Sequence, residues 1–115
     1  MPDDEYKKYE QACKRIKKDN TKLLEQFAHG LSGKGLAEKT VRRHVENADF
    51  YINTFLLSED AVSARDGASH ISMFLGYWFI RKAMWASPSA IRENAGSLKK
   101  FYTFMQEQGQ IDAGD

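Results

Sequence analysis

Lys34, Lys39, Arg42 and Arg43 fall within ten residues, with Glu38 the one carboxylate among them. Cations gathered at the start of a helix suit phosphate, because the first helical turn adds unpaired N–H groups and the positive end of the helix dipole. Arg92 and Lys99 stand seven residues apart, two helical turns, where they would extend the same surface. Lys14, Arg15, Lys17, Lys18 and Lys22 form a further basic run. A charge run alone is most often a solvated helix face, so these clusters name a candidate chemistry and do not decide it. Other chemistries find less. Gly30-Leu-Ser-Gly33-Lys-Gly35 has the glycines of a phosphate loop, but it follows a helical pattern rather than a strand and lacks the Gly-Lys-Ser/Thr ending. It reads as a helix C-terminal cap. No G-x-S-x-G or H-E-x-x-H pattern occurs, and His29, His44 and His70 lie far from one another and from Cys13. No catalytic residue, metal or cofactor is expected.

The bulk composition bounds what remains. A chain of 115 residues suits one domain, and 42% hydrophobic residues with 29% charged ones is the balance of a globular protein able to bury a core. The formal charge of +1 excludes a global polyelectrolyte field, although residues 1–45 hold 11 Lys/Arg against 7 Asp/Glu and residues 46–115 hold 6 against 9. A lone Cys13 and a start without a signal-peptide pattern point to the cytoplasm. The apolar stretch 71–80 is far below the ~20 residues of a membrane span, so no membrane partner is expected.

Four helices must position these residues, because apolar residues recur at three- and four-residue spacing while Gly, Ser and Pro collect between the stretches. The first spans about 4–29, with a break or bend expected at Asp19-Asn20-Thr21. The second, about 38–57, carries a core stripe of Val41, Val45, Ala48, Ile52 and Phe55, with His44 at its boundary and Phe50 and Leu57 on the opposite side. The third, about 63–85, opens with a capping box at Ser63-Ala-Arg-Asp66. It places apolar residues round its whole circumference: either a central core helix, the stronger reading, or a surface that another chain, a second copy or a missing segment covers. The fourth opens with Ser87 as N-cap before Pro88, stops at Gly109 and has a core stripe of Ile91, Ala95, Leu98, Tyr102 and Met105. Its flank is Arg92, Gly96, Lys99 and Thr103, with Gly96 open to close approach by another backbone or to simple helix packing. Asp112 would suit the cap of a further helix, which gives the tail the character of a truncation.

Gly35-Leu-Ala-Glu-Lys-Thr40-Val-Arg-Arg-His44, followed by Asn47 and Phe50-Tyr-Ile-Asn-Thr-Phe55, resembles the G-L-S-x-x-T-[VI] entry and second helix of the tyrosine recombinase core-binding domain. Ser87-Pro-Ser-Ala-Ile-Arg92 through Lys99-Lys-Phe-Tyr102-x-Phe104 is similar to that family's fourth helix. The resemblance covers residues 20–111, leaving 1–19 as a helical extension and 112–115 as a tail of one domain. It implies an all-α, four-helix orthogonal bundle of SAM-like, phage-integrase N-terminal type. It also implies one half of a clamp on double-stranded DNA, in proteins of DNA integration and recombination. Carried over by position, DNA contact falls to Lys39, Thr40, Arg42 and Arg43 on the second helix and to Ser89, Arg92 and Lys99 on the fourth; Lys34 joins them from the basic cluster. Ala37 stands where the family has Ser, removing a side-chain cap, and no counterpart of the recombinase catalytic domain is present. The competing expectation is a helical interaction module that keeps this fold without DNA contact. A continuous basic face supports the first; cations dispersed or paired with Glu38, Glu46 and Glu93 support the second.

Overall fold

The computed structural model describes residues 2–83 and 86–111, with side chains from Asp4 onward. The expected end of the third helix at Met84 and Trp85 and the expected cap at Asp112 lie outside the described residues. Helix α1 is Pro2–Gly33 and α2 is Glu38–Asp49, continued by a π-helical segment, π1, Phe50–Phe55. Two 3-10 turns, Ala64–Asp66 and Ala68–His70, lead into α3 (Ile71–Met73), a second π-helical segment, π2 (Phe74–Trp78), and α4 (Phe79–Lys82). Helix α5 is Pro88–Glu107, and no strand occurs among the described residues. The chain is an all-helical bundle of four helical stretches in which α2 packs on both α1 and α5.

Helix α1 runs through Asn20 without the expected break. Asn20 is buried, and its amide donates to the Ile52 carbonyl at 3.3 Å and to Asn53 Oδ1 at 2.8 Å. Thr21 Oγ1 bonds back to the Lys17 carbonyl at 3.0 Å. Both side chains that compete with helix geometry are thus engaged elsewhere or within the helix. The expected cap at 30–35 is present, closing as a Schellman motif: Leu36 N–H donates to Leu31 O, Gly35 N–H donates to Ser32 O, and Gly35 takes φ +87°. Gly30 serves packing instead, since a Cβ there would meet the Phe104 ring at 3.3 Å. Helix α5 has the expected ends. Ser87 Oγ accepts from Ala90 N–H at 3.0 Å, and Gly109, at φ +73°, closes a second Schellman motif through Gln110 N–H to Met105 O.

The third stretch departs from expectation. No single helix starts at Ser63, whose hydroxyl meets the Asp66 carboxylate at 3.0 Å in place of a backbone N–H. The cause is tertiary: Tyr102 donates to the Ala64 carbonyl at 2.8 Å and Tyr51 to the Gly67 carbonyl at 2.6 Å, drawing this segment onto the core. Gly67 has no room for a side chain, because a Cβ would lie 2.5 Å from both Leu56 Cδ1 and Tyr102 Oη. Beyond it, the apolar ring read from the sequence resolves into two faces. Phe74 and Phe79 are buried, whereas Met73, Tyr77 and Ile80 are 61%, 54% and 53% exposed. At 100° per residue, two positions five apart stand about 140° apart on an α-helix. The wider π2 turn, with Phe79 N–H bonded to Phe74 O, brings them to one side. The central core-helix reading is therefore corrected: this stretch is buried on one side only.

Segment π1 shifts the second stretch in the same way. Leu56 N–H bonds to Tyr51 O, so Tyr51 turns inward beside Ile52 and Phe55, and Leu57, expected on the opposite side, is buried. The two π segments face each other across one aromatic cluster, with Tyr51–Phe74 at 4.8 Å, Phe55–Phe74 at 4.9 Å and Phe55–Trp78 at 5.2 Å. The expected α5 stripe holds at Leu98, Tyr102 and Met105, and Asn94, Ser97, Phe101 and Phe104 join it.

Candidate functional site

The α2–α5 contact is polar along its outer edge. Arg43 Nε reaches Glu93 Oε1 at 3.1 Å, His44 Nδ1 shares a hydrogen bond with Ser97 Oγ at 2.7 Å, and Asn47 Nδ2 donates to the same hydroxyl at 2.9 Å. Ser97 is buried, and each of these bonds fixes the rotation of one helix against the other. Burial first, then the charges of Lys100 and Arg43, hold the His44 pKa below its ordinary value of 6.5, with Glu93 acting in the opposite direction. His44 thus marks a spot where cations of two helices converge.

Next to this edge lies a cleft of about 560 Å³ between the end of α1, the 34–36 loop and α5. Phe27, Leu31, Leu36 and Phe104 form its apolar lining, and Lys34, Lys99, Lys100 and Glu107 contribute its charged groups. Lys34 Nζ and Glu107 Oε2 approach to 3.4 Å. Gly96 also lines the cleft, and a Cβ there would meet nothing within 4 Å, so among the described residues no other element uses the close approach expected at this glycine.

The sequence-derived residues sort as follows. Lys34, Lys99 and Lys100 share the cleft, and Lys100 lies one helical turn beyond Ser97, the residue that bonds His44 beside Arg43. Ser89, Arg92, Gly96, Lys99 and Thr103 are all exposed, at spacings that align them along one flank of α5. Lys39 and Thr40 are exposed in the first turn of α2, where Ala37 takes the N-cap position in extended conformation without a side-chain bond. Arg42 turns to Glu38 at 3.6 Å within α2. Three of the six expected cations, Lys34, Arg42 and Arg43, therefore sit beside a carboxylate, while Lys39, Arg92 and Lys99 carry no ion pair among the described residues. Lys14 and Lys17 lie elsewhere, beside Asn53 and Leu57 at the far end of the second stretch. Lys100 was missed because the family pattern singles out its neighbour, although adjacency to Lys99 was a usable signal. Among the described residues no group of three or more His, Cys, Asp or Glu could hold a metal ion, and no helix is long and apolar enough to cross a membrane.

The chain matches no family model, no curated protein and no solved structure. The function must be argued from the site itself.

Proposed function

We propose that this chain is a non-catalytic DNA-binding domain of the recombinase core-binding kind, with the SAM-like fold that the resemblance implies, acting in the cytoplasm on duplex phosphates. The observation that carries the reading is the convergence of Lys34, Lys99, Lys100 and Arg43, from three separate segments, around one cleft and the adjoining α2–α5 edge. Lys39 and Arg92 extend this cationic surface along the same two helices. The carboxylates do not cancel it. Lys34, Arg42 and Arg43 face Glu107, Glu38 and Glu93 in exposed or half-exposed pairs, which are worth about 0–1 kcal/mol each and exchange readily for phosphate oxygens. Contacts of this kind position a duplex and give salt-sensitive affinity with little reading of base sequence.

Fluorescence anisotropy with a short labelled duplex across a salt series tests the proposal, with a Lys39/Arg92/Lys99/Lys100→Ala variant in parallel. The expected result is a log–log salt slope that flattens by about 0.9 for each phosphate contact removed. No binding at the lowest salt, or a variant that binds like the parent, overturns it. The second reading, a helical protein-interaction module, is favoured by the pairing of Arg42 with Glu38 and of Arg43 with Glu93, and by the apolar exposure of Met73, Tyr77 and Ile80.

A further inference from the structure

The exposed apolar residues of the third stretch form a pattern. Met73, Gly76, Tyr77 and Ile80 occupy positions i, i+3, i+4 and i+7, and all four face solvent. Across the π2 turn they spread over the solvent side of the stretch, opposite the buried Phe74 and Phe79, as an apolar face broad enough to bury against another helix. Gly76 sits in its middle, where a Cβ would meet nothing within 4 Å, so no packing among the described residues requires a glycine. Glycine is among the costliest residues in a helix interior, and its use here fits the close approach of a backbone from outside the chain.

The charges at the two ends of this face identify that backbone. Glu59 and Asp60 line the same cleft as His70, Met73 and Tyr77, along the N-terminal half of the stripe. Arg81 and Lys82 are exposed at its C-terminal end, with the Arg81 guanidinium 4.7 Å from the Tyr77 ring centre. The face is therefore acidic at one end, basic at the other and apolar between. A surface of this kind complements itself when two copies meet antiparallel about a two-fold axis, and it repels itself when they meet parallel.

We infer that the 71–82 stretch is a homodimer interface in which two copies pair antiparallel across Gly76. Met73 of one copy meets Ile80 of the other, and Glu59 and Asp60 of each face Arg81 and Lys82 of its partner. The inference stands apart from the phosphate-binding surface and survives if DNA binding is absent.

Sedimentation velocity of the full chain over a wide concentration range reads it directly. A concentration-dependent dimer is expected, which Met73→Glu/Ile80→Glu converts to a monomer with unchanged helical circular dichroism, since both side chains are exposed. Glu59→Lys/Asp60→Lys and Arg81→Glu/Lys82→Glu should each weaken dimerisation about tenfold or more, and the four changes combined should restore it. A parent chain that stays monomeric at every concentration overturns the inference and leaves the stripe to a different partner. A dimer indifferent to all of these changes overturns it as well.

Discussion

The α2–α5 edge and the 55–82 region are built from the same material, helix packed on helix, yet they hold their geometry by opposite means. At the edge, polar side chains cross between two regular helices: Arg43 to Glu93, and His44 and Asn47 to Ser97. In the 55–82 region regular helix gives way to the π2 segment and 3-10 turns, and large rings and buried hydroxyls hold them. In the first arrangement the partly exposed Arg43–Glu93 pair can exchange partners with a ligand without disturbing the core. The second cannot move a core-facing residue without moving the core. Phosphate binding is therefore sought on the first, and the steepest sensitivity to substitution on the buried side of the second.

Three substitution and pH experiments test that contrast. Gly67→Ala should be the most damaging, because the added Cβ would press on Leu56 Cδ1 and Tyr102 Oη, both held in the core. A loss of about 2–3 kcal/mol in urea unfolding is expected; a loss smaller than that of Ser97→Ala would invert the comparison. Ser97→Ala removes the hydroxyl shared by His44 and Asn47, and the two half-buried partners left behind put its cost at about 1–2 kcal/mol. The smallest effect belongs to pH. Because the His44 pKa is lowered in the folded chain, the unfolded chain takes up a proton at higher pH. Its contribution is complete above pH about 6.5 and is lost as pH falls from there through the folded-state pKa. Urea unfolding at a series of pH values should show this decline, and His44→Gln should flatten it; an equal decline in the variant would assign it to other groups.

The same contrast explains what could be read in advance. Helix α5 was legible because its ends are local chemistry, Ser87 before Pro88 and Gly109 at positive φ, and nothing distant overrides them. The α2 stripe was legible because Val41, Val45 and Ala48 keep one period. Period-based reading left out Tyr51 and failed at Leu57, and it put Met73, Tyr77 and Ile80 in the core where they face solvent, because one extra residue per turn shifts the phase. It also failed at Ser63, where Tyr51 and Tyr102 reach the turn from 16 and 38 residues away. Of the candidate site, the cations were visible and their arrangement was not. The Arg43 pairing with Glu93 had been foreseen as one alternative, but the Lys34–Glu107 pair spans 73 residues and leaves no local trace.

Helix α1 has a mechanical consequence. Its 32 residues at 1.5 Å each make a rod of about 48 Å, comparable with the 51 Å longest extent of the molecule. Phe27 anchors one end, set between Phe101 at 5.2 Å and Phe104 at 5.7 Å, and Asp4 lies roughly 35 Å along the axis from it. Such a rod is a lever with its fulcrum at the aromatic anchor, and a tilt of 5° would sweep the far tip by about 3 Å. The Asn20 bonds brace it near the fulcrum, and the Tyr9 hydroxyl donating to the Leu57 carbonyl is the strut far enough out to resist that swing.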